Sequence, residues 1–210
     1  MLLGVLVLIS IISVGCLDDA DPASARPAPP PAERRAGVAV LEFENSSQIR
    51  GVGRGMAERL DSELLACGWF DVITRRNLDD ILGEHFEQQQ AFVDDSTAVE
   101  MGKVAGVDYM IMGNVINVSA EPYALSVGGV GVGATRVEVD VSIQMINVET
   151  GRLTASPYVS ASNVSPQIAV GRSGLPRFAY GDGSDYSSAV EKAIEKAAVE
   201  AVNQLIAAIE

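Results

Sequence analysis

RVEVDVSIQMINVETGR, residues 136–152, has the clearest secondary-structure pattern in the chain. Its residues alternate between two faces, one apolar (Val137, Val139, Val141, Ile143, Met145) and one polar (Glu138, Asp140, Ser142, Gln144). A period of two is typical of a β-strand that buries one face. Gly151 can take a positive φ in the turn at 149–152, and Leu153 starts a returning strand. The stretch therefore predicts an antiparallel hairpin.

Three further segments upstream have the composition of strands. Val38–Phe43 is a short apolar run, and Trp69–Thr74 is rich in residues that favour strands. Val107–Ser119 is apolar on both faces in its first half, which is typical of a central strand. Together with the hairpin and the helical segments between them, these strands predict a domain that mixes parallel and antiparallel strands.

Helices are predicted from apolar spacing and from capping signals. Met56, Leu60 and Leu64 recur every four residues, and Gly68 follows as a left-handed cap. The predicted starts of the other helices are Asn77 for a short helix, the Thr97-x-x-Glu100 box for a helix to Ala105, and the Ser188-x-x-Glu191 box for a long C-terminal helix. The predicted fold is α/β, a mixed parallel and antiparallel sheet with flanking helices.

The N-terminal residues have the pattern of a lipoprotein signal. Leu2–Gly15 is apolar or small throughout, but at about 1.5 Å per residue it is too short to cross a hydrocarbon core of about 30 Å. It is typical of a signal-peptide core. The following cysteine, after Ser13, Val14 and Gly15, resembles the lipobox of bacterial lipoproteins. We therefore expect residues 1–15 to be a signal peptide and Cys16 to be lipidated.

Residues 16–36 form a predicted tether between the lipid and the folded domain. The segment contains five prolines among Ala, Asp and Arg, a composition that favours an extended, disordered chain. Residues 37–210 are enough for one domain with its own core and too few for two. We expect a single domain over 37–210.

The net charge and the cysteine content argue against nucleic acid as a partner and against an intramolecular disulfide. The net charge of −13 opposes binding to nucleic acid, which needs clustered Lys and Arg. Once Cys16 is acylated only Cys67 remains, so no intramolecular disulfide is possible. We expect Cys67 to be a small buried hydrophobic residue.

Motifs for catalysis, metals and cofactors are missing from the sequence. The single histidine, His85, has no second ligand at metal-binding spacing. The glycines of 51–55 follow a strand, but the third position of the dinucleotide fingerprint is Met56, so a flexible start of a helix is the simpler prediction. The glycines of 129–134 precede strand sequence and not a helix. We expect no enzyme activity, no cofactor and no metal.

Several segments in a fixed order resemble the CsgG family of curli-secretion lipoproteins. They are Gly106–Tyr109, Gly113–Val115, Gly128–Thr135 and Val139–Gly151. The resemblance implies an α/β periplasmic domain on an outer-membrane lipid anchor, with no catalysis. The founding member of the family is a ring whose subunits each insert two β-hairpins to build a secretion pore.

Two segments are candidates for such hairpins. Ala120–Arg136 is short for two strands and a turn unless it borrows from its flanking strands. Thr154–Ser184 is long enough, but it contains Pro157, Pro166 and Pro176, each of which lacks a backbone N–H donor. Whether these segments cross the membrane or lie beneath it stays open. The loop at 44–50 has no aromatic residue, so we do not expect the narrow gate of the founding member.

The expected function follows from the anchor and the resemblance. Leu17, in place of the Asp that retains lipoproteins in the inner membrane, favours the outer membrane. We expect an outer-membrane lipoprotein, facing the periplasm, that takes part in assembly or export of extracellular, curli-like protein. Its expected partners are further copies of itself and exported or periplasmic proteins. The alternative is a non-spanning regulator of a cell-wall synthase, because the LpoB activators resemble it in domain and tether.

Overall fold

The computed structural model describes residues 26–83, 93–127, 130–169 and 184–209. The strands of this part are β1 (Ala36–Val40), β2 (Glu44–Asn45), β3 (Phe70–Ile73), β4 (Tyr109–Val127), β5 (Val130–Asn147), β6 (Arg152–Ala155) and β7 (Tyr158–Ala169). Its α-helices are α1 (Val52–Cys67), α2 (Arg75–Leu82), α3 (Asp95–Ala105) and α4 (Ser184–Ile209). The predicted signal peptide, Cys16 and His85 lie outside the described residues.

The described strands form one mixed sheet. Its order is β3–β1–β4–β5–β6, with β2 beside β4 and β7 beside β5. β1 pairs in parallel with β3 and β4, and β2 pairs in parallel with β4. β5 pairs antiparallel with β4, β6 and β7. The predicted mixed α/β sheet is confirmed.

Helices cover the sheet on both faces at its parallel end. Val38 and Val40 pack with α1 and α4 in one core, whereas Ala39 and Leu41 pack with α2 and α3 in a second. The alternation predicted in β5 is also confirmed, because its odd-numbered residues from Val137 to Met145 are fully buried in the first core. Burial of one face is what imposes the period of two.

Three predicted helix starts are wrong. The cap of α3 is Asp94, whose carboxylate accepts a hydrogen bond of 2.8 Å from the N–H of Thr97. Hydrogen bonding to Thr97, through its side chain first and its N–H second, lowers the pKa of Asp94. Asn77 and Ser188 lie inside α2 and α4, which begin at Arg75 and Ser184. A capping residue needs an extended backbone in front of the helix, as Asp94 has, whereas the other two continue a helical turn.

The tether prediction is wrong for Arg26–Arg35, the part of the segment that the structure describes. Ala32–Arg34 forms a turn of 3-10 helix, and Trp69 Nε1 donates a hydrogen bond of 3.0 Å to the carbonyl of Pro27. The segment therefore lies against the folded domain. Cys67, beside it, is half-buried and not fully buried as predicted, and burial is the main cause that raises the pKa of its thiol.

The glycines of 51–55 have separate structural roles. Gly51 has a φ of 77° in front of α1, a conformation that favours glycine. A Cβ on Gly53 would collide with the carbonyl oxygen of Phe43, so this glycine lets the helix approach the chain after β1. A Cβ on Gly55 would meet nothing within 4 Å. Close packing, and not flexibility, accounts for Gly53.

We predict that Gly53→Ala lowers the free energy of unfolding by about 2–3 kcal/mol, because a backbone oxygen cannot move aside cheaply. Gly55→Ala, two residues along the same helix, should raise it by about 0.5–1 kcal/mol through helix propensity. Urea titrations of both variants measure these changes. Equal effects at the two positions would contradict the close approach.

Candidate functional site

β4 and β5 pair along their whole length. The register runs from Tyr109 opposite Asn147 to Val127 opposite Val130, and the 19 residues of β4 span about 60 Å. The predicted hairpin at Ala120–Arg136 therefore does borrow from its flanking strands, and is continuous with the core. β7 adds a third strand, since Gly131–Ser142 of β5 pairs with Tyr158–Ala169. We call residues 117–127, 130–140 and 160–169 the extension.

A β-bulge marks the start of the extension. The register shifts between Val115, opposite Val141, and Asn117, opposite Asp140, so Ile116 is an extra residue. A bulge increases the local twist and bends the strand. Val115 is also the last residue of β4 that pairs with β2. Beyond this point, β4 has a strand partner on one side only among the described residues.

The loop after Phe43 is fastened to β4 next to the bulge. Asn114 accepts hydrogen bonds from the N–H and Oγ of Ser46, at 3.3 and 3.2 Å, and the Ser46 N–H also bonds the carbonyl of Val115. Asn45 Nδ2 donates to the carbonyl of Ile49 at 2.7 Å. The loop is thus held by polar contacts, and the structure places it where the extension leaves the core.

Polar and charged residues form a band across one face at the base of the extension. Ser160 Oγ donates to Glu138 at 3.1 Å, and Arg136 lies 3.9 Å from Glu138 and 3.4 Å from Ser162. Asn117 donates to Asp140 at 3.4 Å. The Arg136 and Glu138 side chains are 51 % and 40 % exposed, so their ion pair contributes little to stability. These exposed charged side chains instead indicate that the base of the extension lies in water.

Beyond the polar band the alternation changes phase. At the base, odd-numbered residues of β5 are apolar and buried, whereas at the tip the even positions, Val130 and Val132, are apolar. Val132 pairs with Leu125 and Ile168, which are also apolar, while Gly133 pairs with Ala124 and Gln167. The face that is polar at the base therefore carries apolar residue types at the tip. This face is opposite the first core.

The second predicted hairpin, Thr154–Ser184, is described only in its first half. Pro157 lies between β6 and β7, and its carbonyl accepts a hydrogen bond of 2.9 Å from the N–H of Ile143. Pro166 lies within β7 opposite Ala134. Residues 170–183, with Pro176, lie outside the described residues.

Other features of the described residues give no second site. A cleft of about 210 Å³ beside the loop at 41–44 includes Asn114, Ser142 and Gln144 in its lining. Within 26–83, 93–127, 130–169 and 184–209, no group of three His, Cys, Asp or Glu residues is placed to hold a metal. In the same ranges, no helix has the length and apolar character needed to cross a membrane.

The protein is an α/β domain whose strands β4 and β5 continue beyond the core into an extension. The family model described as "Curli production assembly/transport component CsgG" matches residues 20–210. The chain therefore belongs to the CsgG family. A search of the curated proteins gives no match.

Three solved structures are similar to the chain. A lipoprotein from Neisseria meningitidis is 15 % identical, with 62 % of this chain and 84 % of that chain covered and a TM-score of 0.45. The LpoB C-terminal domain from Salmonella enterica is 15 % identical, with coverage of 60 % and 81 % and a TM-score of 0.43. The PelC dodecamer from Paraburkholderia phytofirmans is 21 % identical, with coverage of 78 % and 86 % and a TM-score of 0.39.

We predict that Asn114→Ala releases the loop at 44–50 without unfolding the sheet. The bonds to Ser46 are exposed, so their loss should cost about 1 kcal/mol and speed exchange of the amide of Ser46 about fivefold. Hydrogen exchange read by mass spectrometry measures this. Asn117→Ala, which removes one bond on the other side of the bulge, is the control and should leave the loop amides unchanged.

Proposed function

We propose that this CsgG-family protein is an outer-membrane lipoprotein that works as a homo-oligomer in the assembly or export of extracellular, curli-like protein. In this proposal the domain faces the periplasm, and the tip of the extension enters the inner leaflet of the outer membrane. The phase change between the polar band and the apolar tip carries the proposal. The function is one of binding and assembly, with no catalytic step.

The position of the charged residues limits how far the extension enters. Glu121 of β4 and Arg136 of β5 are opposite each other in the strand register, on the face that becomes apolar at the tip. The strands beyond them, 122–127 and 130–135, are about 20 Å long. An apolar band of about 25 Å crossed by strands tilted 35–45° needs about 9–11 residues per strand. The length of these strands therefore favours insertion of the tip into one leaflet over a complete crossing of the membrane.

The free edge of β4 supports the homo-oligomer. From Asn117 to Val127, β4 pairs with β5 and has no second partner strand among the described residues. An unpaired backbone group costs several kcal/mol in hydrocarbon, so the part of this edge that enters the membrane needs a partner. A second copy of the chain supplies a strand of matching length. The polar part of the edge remains in water.

Cys16 supplies the anchor in this proposal. A single acyl chain gives only marginal membrane binding, whereas several chains, or one chain with an inserted apolar surface, give stable binding. The lipid and the tip of the extension therefore act together at the same membrane. Leu17 favours the outer membrane, because Asp is the residue that usually retains lipoproteins in the inner membrane.

We predict that Cys16→Ser abolishes incorporation of labelled palmitate and weakens anchoring in the outer membrane. Loss of the acyl chains removes about 0.8 kcal/mol of membrane binding per buried methylene. Cys67→Ser, which removes the other thiol, is the matched control and should retain the label. Palmitate that persists in Cys16→Ser would refute lipidation at this cysteine.

We predict that Val132→Asp weakens vesicle binding of the chain from Leu17 onward, which has neither lipid nor signal peptide, and that Thr135→Asp does not. Both substitutions add one charge to β5, but the first falls on the apolar face and the second on the small, polar face. Vesicle flotation of both variants measures the difference. Equal binding would contradict the insertion of this face.

Electron microscopy of the detergent-extracted full chain tests the oligomer. Rings or other closed oligomers are expected, held by pairing at the β4 edge. Monodisperse monomers would refute the homo-oligomer and favour a regulator of the LpoB kind. A ring with a channel that crosses the whole membrane would contradict the depth argued from Glu121 and Arg136.

A further inference from the structure

Residues 26–35 lie along the surface where the C-terminal end of α1 meets α4. Arg26 Nε donates a hydrogen bond of 2.7 Å to Asn203 Oδ1, and its guanidinium also reaches the carbonyl of Val199 at 3.5 Å. Pro27 accepts the bond from Trp69, and Pro29 lies beside Gly68. The contacts involve side chains far along the sequence, so the segment is docked by tertiary interactions.

Arg26 is the most buried charged contact of this segment. Its side chain is 12 % exposed and lies 3.9 Å from Glu63, which is 14 % exposed. Glu63 also pairs with Arg59 at 3.1 Å, and Arg59 bonds Glu195 of α4 at 2.6 Å. A guanidinium at this depth must be paired, because burial of an unpaired charge is costly. Arg26 thus joins a network that already links α1 to α4.

The docked segment runs from the start of β1 to the surface between α1 and α4, where Arg26 contacts Glu63 and Asn203. Ala36 begins β1, and Val38 pairs with Tyr109, the first residue of β4, so β1 starts at the end of the sheet farthest from the tip. Arg26 instead contacts α4 at Asn203. Lys196 of the same helix, about 10 Å away along the axis, donates to the carbonyl of Ser162 at the base of the extension.

We propose that Arg26 is a latch that holds residues 26–35 on the domain and so sets the length of chain available to the lipid on Cys16. The inference rests on the lipidation proposed above. From Cys16 to a docked Arg26 the chain spans at most about 35 Å, whereas from Cys16 to Ala36 it spans about 70 Å. The latch halves the reach of the anchor and keeps the domain close to the membrane.

Removal of Arg26 should release the segment and leave the domain folded. Glu63 keeps Arg59 as a partner, so no buried carboxylate loses its last partner. The segment itself contains two reporters of release. Glu33 lies within the 3-10 turn, so release of the segment should make it a better site for a glutamate-specific protease. Trp69, the sole tryptophan, loses its bond to Pro27.

The test compares Arg26→Gln with Arg54→Gln in the full-length chain. Arg54→Gln removes an exposed ion pair with Glu58 on α1, away from the segment, and serves as the matched control. We expect Arg26→Gln to speed cleavage after Glu33 about tenfold, since cleavage tracks the open population and charge-assisted bonds are lost. Acrylamide quenching of Trp69 should increase, while Arg54→Gln matches the wild type. Unchanged cleavage and quenching would overturn the latch.

A separate experiment tests whether the latch sets the distance between the domain and the membrane. Energy transfer from Trp69 to a headgroup-labelled lipid is recorded for the lipidated chain in phospholipid vesicles. We expect lower transfer in Arg26→Gln than in Arg54→Gln. If the segment opens but transfer is unchanged, the latch does not set the reach. If the wild-type chain carries no lipid, the proposed anchor fails, while cleavage and quenching still decide whether Arg26 docks the segment.

Discussion

The pairing of β4 with β5 is the interaction on which the other features depend. Backbone N–H and C=O groups that leave water must be bonded, and antiparallel pairing bonds the facing edges of these strands from Tyr109 to Val127. Near Tyr109 the pair lies between helices on both faces. Near Val127 it has β7 alone as a further described neighbour. One pair of strands is therefore both a core element and an extension, so the position of the tip is set by the core.

The sequence predicted the part of this pair whose surroundings are uniform. From Val137 to Met145 one face meets the first core, which requires an apolar residue at every second position, and the alternation is unbroken. Near Ala134 the surroundings of the two faces change, so the apolar positions change parity although the strand continues. An alternation that changes phase resembles the end of a strand, and the length of β5 was therefore not predictable from its pattern.

The predicted helix starts and the tether were wrong for different reasons. A Ser or Thr three residues before a Glu is common inside amphipathic helices, so Ser188 matched a capping box without capping α4. The tether was judged from its proline content, which indicates that a segment cannot build a core of its own. Amino-acid composition does not indicate that Arg26 forms a hydrogen bond with Asn203, which is 177 residues away.

The charged band and the change of phase lie next to each other along the extension. Arg136 and Glu138 need water, so in the proposed arrangement the membrane surface lies above them, where the residue types on this face become apolar. Arg26 reaches the carbonyl of Val199 on α4, one turn from Lys196, which donates to the carbonyl of Ser162 at the base of the extension. An anchor that left the domain from Ala36 would have to climb about 40 Å along β4 to reach Glu121. The docked segment fixes the point at which the chain leaves the domain toward its lipid, which is a physical reason for burying an arginine in a proline-rich segment.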